Sequence, residues 1–204
     1  MTYDKFSDQM LIDAFVAGDK KCIEVLIRRY KDKVYSYILL NVKNPNVADD
    51  IFQDTFVKVM SSLRTRAYSD EGKFLSWVMR IAHNLVIDYF RYEKNNGMTS
   101  SDENEYVLNS SSLADTNIED RLVDSQILDD VRKLLDYLPP EQKEVIMLRH
   151  YGGMSFKEIA DATNVSINTA LGRMRYAILN LRRIVDEKKI ILAGTIIKID
   201  ATKL

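Results

Sequence analysis

The 204-residue chain has room for one ordinary domain or two small ones, and its 46% apolar and 29% charged residues are a globular composition that excludes wholesale disorder. Seven Gly and three Pro predict long helices with few turns, while a single Cys and two His exclude a disulfide framework and a cysteine-rich metal site. The net charge of −1 is uneven, +2 over residues 1–95, −6 over 96–126 and +3 over 127–204, so near-neutrality does not exclude a nucleic-acid partner.

Apolar residues recur at intervals of three and four in four successive runs: Leu11, Phe15 and Val16; Cys22, Leu26, Tyr30, Val34, Tyr37 and Ile38; Ile51, Phe52, Phe56, Val59, Met60 and Leu63; Phe74, Leu75, Val78, Ile81, Ala82, Leu85 and Tyr89. The period predicts four amphipathic helices. Gly18 suits the stop of the first, Asn44-Pro45 a cap and first-turn proline for the third, and Gly72 the turn before the fourth. Residues 96–126 are rich in Ser, Asn, Asp and Glu and, up to about Ile118, lack a sustained helical period. They read as an acidic linker, relaxed to roughly 30 Å and extensible to about 100 Å.

Beyond it, Leu122, Ile127, Val131, Leu134, Leu135 and Leu138 predict a helix over Asp120–Leu138, which Pro139-Pro140 breaks. A further helix is predicted over Pro140–Tyr151, ending at Gly152-Gly153. Ser155 and Glu158 form a capping box for a helix over Phe156–Thr163, because the serine accepts from the third backbone NH while the glutamate reaches back. Asn164 suits the left-handed end of that helix and Ser166 the cap of the next. The apolar tail IILAGTIIKI has the composition of a short strand.

A short helix, a turn of three or four residues and a longer helix are the proportions of a helix-turn-helix. Small Ala160 allows the close approach such a crossing needs, and Ile159, Val165 and Met174 supply its core. The longer helix carries Asn168, Thr169, Arg173, Arg175, Arg182 and Arg183, donors for base edges at its start and for phosphates further along. Such a pattern also suits a helical hairpin with a solvated arginine face; cap, small residue, turn asparagine and arginine excess together favour DNA.

With both blocks in view, the chain resembles a bacterial RNA polymerase sigma factor of the extracytoplasmic-function (ECF) group. AGDKKCIEVLIRRYKDKVYSYILL, NVADDIFQDTFVKVM and GKFLSWVMRIAHNLVIDYFR resemble that family's region 2, and LPPEQKEVIMLRHYGGMSFKEIADATNVSINTALGRMRYAILNLR its region 4. The resemblance implies an all-α protein of two small helical domains, a region 2 bundle over residues 1–95 and a region 4 helix-turn-helix over 120–189. The linker over 96–119 and a tail over 190–204 complete the chain.

Asp50, Gln53 and Asp54 share one helical face opposite Phe52, Phe56 and Met60. The resemblance implies that this face docks on the coiled coil of the largest polymerase subunit, although a polar face is commonly just solvated. Trp77, Arg80, Asn84, Asp88 and Arg91 form a stripe along the fourth helix, and aromatics, cations and amides suit single-stranded bases. By resemblance, this stripe and the preceding loop Thr65–Lys73 open the duplex and read the downstream promoter element. Likewise Ser166, Asn168, Thr169, Arg173, Arg175 and Tyr176 are implied to read the upstream element. A departure falls at Ala170-Leu171-Gly172, where many members carry Val-Lys/Arg-Ser, so a basic residue is missing at Leu171. The resemblance also implies an anti-sigma partner, and a linker that threads the polymerase channel.

No metal-ligand spacing, glycine-rich phosphate loop or nucleophile elbow occurs in the sequence. Asp49 and Asp50 are adjacent and point to different faces, a poor acid/base pair. Catalysis, cofactor, metal and small-molecule substrate are therefore not expected. No apolar run approaches the roughly 18 residues of a membrane span, and the opening MTYDKFSDQM lacks the basic-then-apolar order of a secretion signal; a cytoplasmic protein without membrane insertion is expected. The competing readings are a helix-turn-helix regulator that binds duplex without polymerase, and a protein-interaction module with little salt-sensitive DNA affinity.

Overall fold

The computed structural model describes residues 3–65, 68, 72–96 and 133–188. Among these the regular structure is helical, with no strand. The described residues fall into two compact units, one within Met1–Tyr106 and Met147–Ile167, the other within Val107–Ile146 and Asn168–Leu204.

In the first unit, a 3-10 turn at Tyr3–Lys5 leads into α1 (Asp8–Val16), α2 (Lys21–Val42), α3 (Pro45–Arg64) and α4 (Phe74–Asn95). Each boundary follows from local chemistry. Ser7 Oγ accepts the Met10 NH at 3.3 Å to cap α1, and Gly18, at φ 113°, stops it in a conformation that costs glycine little. Lys43 ends α2 in the left-handed region at φ 58°. Asn44 Oδ1 then accepts the NH groups of Asn46 and Val47 at 3.0 and 3.4 Å, with Pro45 opening α3. Gly72, at φ 87°, lies just before α4.

The inward faces of α1–α4 meet in one core. Leu11, Leu26, Val34, Ile38, Val59, Val78, Met79 and Ala82 are buried there. Two polar side chains are buried with them: Thr55 donates to the Ile51 carbonyl at 2.7 Å, and His83 Nδ1 lies 2.9 Å from the Tyr37 hydroxyl. Burial pushes the His83 imidazole below its ordinary value, which favours its neutral form beside Tyr37. At the edge, Asp8 binds both the Tyr30 hydroxyl and the Arg29 guanidinium. Burial first, and Asp8 second, push the Tyr30 hydroxyl up to about 12.

Residues 133–136 are helical, and α5 (Pro140–His150) begins at the second proline. It stops one residue short of the predicted Tyr151. The capping box of α6 (Phe156–Ala162) is complete: Glu158 NH reaches Ser155 Oγ at 3.3 Å, and Ser155 NH reaches the Glu158 carboxylate at 2.7 Å. α6 also ends one residue earlier than predicted. Thr163 turns its NH and its hydroxyl to the Ile159 carbonyl, and Asn164, at φ 53°, leaves the helical region. Ser166 then immediately precedes α7 (Ile167–Lys188).

The start of α4 packs on the stretch containing α6. Ser76 Oγ donates to the Gly152 carbonyl at 3.3 Å, and Lys73 Nζ lies 3.4 Å from the Glu158 carboxylate. Burial raises the Glu158 carboxyl, but the Ser155 hydrogen bonds and Lys73 outweigh it and hold it below its ordinary value. Gly152 is needed for its size: a Cβ there would lie 2.6 Å from the Leu148 carbonyl oxygen and 3.0 Å from Met79 Cγ. In the second unit, Asn180 donates to Gln142 at 2.8 Å and Lys143 to Asp136 at 2.8 Å. The linker beyond Asn96, the predicted helix before residue 133, most of the loop over 65–73, and the tail over 190–204 with its expected strand lie outside the described residues.

Candidate nucleic-acid interface

The three α3 residues Asp50, Gln53 and Asp54 are all exposed on one side of the helix, while Ile51, Thr55, Phe56 and Val59 face the core. Phe52 and Met60 are half-buried. Phe52 packs edge-on against Tyr35 at 5.8 Å and against Phe56 at 4.9 Å, which orients the helix and turns the carboxylates outward. Asp49, beside this patch, accepts a hydrogen bond from Tyr35, whose hydroxyl is raised first by burial and then by that contact.

Along α4, Arg80, Asn84, Asp88 and Arg91 are exposed on a single stripe opposite buried Val78, Ala82, His83 and Val86. Arg91 pairs with Asp88 at 3.0 Å across one turn, an exposed pair of little energetic weight that water and a ligand can displace. Trp77 opens the stripe but is half-buried. Its ring lies 4.2 Å from Tyr68 and 5.9 Å from Phe74, with Phe74 in turn 5.7 Å from Tyr30. The indole is thus a partly packed aromatic, and the four polar residues form the exposed surface. Tyr68 was not singled out from the sequence, because a lone tyrosine in a loop carries no periodic signal.

Ser166, just before α7, and Asn168, Thr169, Arg175 and Tyr176 on it are exposed, and Ala170, Met174 and Ala177 are buried on the other side. Arg173 differs. It is half-buried, with its guanidinium 3.9 Å from the Glu144 carboxylate of α5. Burial raises the Glu144 carboxyl and Arg173 opposes the rise. Arg173 therefore flanks the outward face of α7, with Asn168, Gly172 and Arg175 near its centre and Leu171 toward its other side. Ser166 and Thr169 take part in further interactions.

The groups that would matter in a catalyst sit elsewhere. Cys22 is fully buried, its thiol pushed up first by burial and then by Asp19. His83 is locked in the core against Tyr37.

Residues 26–96 match Sigma-70 region 2, and residues 128–173 match Sigma-70, region 4. The chain belongs to the ECF sigma factors of bacterial RNA polymerase. The ECF RNA polymerase sigma-E factor of Haemophilus influenzae is 26% identical over 91% of this chain and 96% of its own length. The sigma-E factor of Escherichia coli K12 is 24% identical over 91% and 95%. Two solved structures share the fold: CnrH in complex with the cytosolic domain of CnrY, with TM-score 0.61, 22% identity, and 89% of this chain and 99% of that one covered; and RpoE of Bartonella quintana in complex with the anti-sigma factor NepR, with TM-score 0.58, 19% identity, and 81% and 98% covered. As a sigma factor, the protein is a polymerase-binding transcription initiation factor, which disfavours a helix-turn-helix regulator acting without polymerase. None of the described helices of this sigma factor is long and apolar enough to cross a membrane.

Proposed function

We propose that the three surfaces divide the work of initiation: Asp50, Gln53 and Asp54 dock on the coiled coil of the largest polymerase subunit, the α4 stripe takes the opened downstream element, and the outward face of α7 reads the upstream element as duplex. The domains follow that division, region 2 over 1–95 and region 4 over 120–189, with the linker over 96–119 between them. The observation that carries the reading is the sorting of side chains on α4. A core-facing side that is apolar but for His83 is backed by an exposed run of cation, amide, carboxylate and cation at three- and four-residue spacing, the chemistry that grips unstacked bases and their backbone.

Opening DNA without ATP requires tighter binding to the opened strand than to the duplex. Extruding a base costs a few kcal/mol, which hydrogen bonds from Asn84 and Arg80 and contact with half-buried Trp77 would offset. The protein works where polymerase works, in the cytoplasm, and no reaction of its own is assigned to it. An anti-sigma protein fits as a further partner, since NepR is one for the similar RpoE; it would cover the α3 and α4 surfaces.

Purified protein, core polymerase and a pre-melted promoter fork test the α4 assignment. Arg80→Ala with Asn84→Ala should weaken fork binding by the holoenzyme tenfold or more and leave association with core enzyme unchanged. Equal fork binding by wild type and variant would remove α4 from the strand-binding surface.

A further inference from the structure

Leu171 and Gly172 are neighbours on the outward side of α7, and the described structure gives neither a reason to be there. Leu171 is 43% exposed, an apolar side chain left in water at the middle of a helix. Gly172 lies inside the helix, where glycine is among the least favourable residues, yet a Cβ added to it would meet nothing within 4 Å. Close packing therefore does not select glycine here, and its helical conformation does not require it. Both residues are one turn from Asn168 on one side and from Arg175 on the other, and both of those are exposed. An apolar group and a gap in the side-chain surface are thus framed by an amide and a guanidinium, with Arg182 and Arg183 exposed further along the same helix.

A helix face of this kind matches the edge of a thymine-containing major groove. The C5-methyl of thymine is the one apolar group a base pair offers there, and it is met by apolar side chains, whereas guanine is read by Arg or Lys. We propose that Leu171 reads the upstream promoter element through a thymine methyl, and that Gly172 lets the α7 backbone approach closely enough for Leu171 to reach it. Asn168 and Arg175 hold the register on either side. The proposal rests on the assignment of α7 to duplex recognition and adds which base the helix selects and by which atoms. Arginines on the rim make DNA, rather than an apolar protein segment, the occupant of the face, because they complement the phosphate charge.

Deoxyuridine is thymidine without that methyl, which makes it the probe. The holoenzyme is reconstituted from full-length protein and core polymerase, and a promoter it uses is found by sequencing transcripts from genomic fragments. Each thymine of the upstream element is then replaced singly by deoxyuridine. At one position wild-type initiation should fall about fourfold, the value of burying one methyl group; with Leu171→Ala the same replacement should change nothing. Gly172→Ala should raise the melting temperature of the free protein, as glycine-to-alanine changes in helices do, while lowering promoter use. Insensitivity to deoxyuridine at every position, equal sensitivity in Leu171→Ala, or unchanged promoter use by Gly172→Ala would overturn the proposal. Absence of any specific transcript with wild-type protein would instead overturn the assignment of α7 on which it rests.

Discussion

Single residues in this protein do unequal work, and several of the most constrained never face a ligand. Gly152 has no room for a methyl group beside the Leu148 carbonyl. Gly152→Ala should therefore lower stability by about 1–3 kcal/mol through overpacking, read as a lower urea midpoint with an unchanged slope. His83 makes stability depend on pH. Its folded-state pKa lies below the ordinary value of 6.5, so below that pH the unfolded chain binds more protons than the folded one. Stability should be steady above about pH 7 and fall as pH drops toward 5. In His83→Gln that part of the slope should disappear, and a melting temperature equally pH-dependent in both proteins would contradict the assignment. Glu158, whose carboxyl is held low, contributes in a separate window below its ordinary 4.5. Histidine at position 83 was legible as a helix residue beside apolar neighbours, but its Tyr37 partner, 46 residues away, was not, because no local pattern reports a long-range pair.

The helices were largely legible because their signals are local. Asn44-Pro45, Gly18, Ser155 with Glu158, and Asn164 each act within a turn of the boundary they set, and the predicted ends of α5 and α6 differ from the observed ones by one residue. Helix faces were legible by the same period: Asp50, Gln53 and Asp54 are outward, as are Arg80, Asn84, Asp88 and Arg91. What the period misses is a side chain at the border between faces. By resemblance Arg173 is a base-contacting arginine, yet it leans toward Glu144; Trp77, placed in the strand-binding stripe, is half-buried with its ring tilted against Tyr68. These placements alter the useful experiments. Arg173→Ala removes the counter-charge of a partly buried carboxylate and should lower stability together with promoter use. Arg175→Ala, on the exposed face, should weaken upstream-element binding by about 10-fold or more, as loss of a base or phosphate contact does, with no change in melting temperature. Loss of stability in Arg175→Ala and none in Arg173→Ala would reverse that placement. On α3, Asp50→Lys with Asp54→Lys should abolish association with core polymerase while leaving the far-ultraviolet circular dichroism intact; undiminished association would take that face out of the interface.

At the scale of the whole molecule, the small net charge is the cancellation of two mildly basic stretches by an acidic one, and this bears on how the protein holds DNA. Few phosphates are neutralised by the chain alone, so its affinity for duplex should be weak and lost at modest salt, and promoter affinity should appear when polymerase adds its own surface. The order of the two regions was legible because each carries its own motifs. The grouping of residues 147–167 with α1–α4 was not, since it rests on contacts such as Ser76 with Gly152, remote in sequence. On the proposed division of work, promoter selection by two elements is the joint property of these surfaces. It is tested most directly by transcription reconstituted from the purified protein and core polymerase on genomic templates. Discrete transcripts should appear that depend on this protein, start downstream of two spaced elements, and vanish when either element is scrambled. Stable binding to promoter duplex without polymerase, and no protein-dependent transcript with it, would contradict the account.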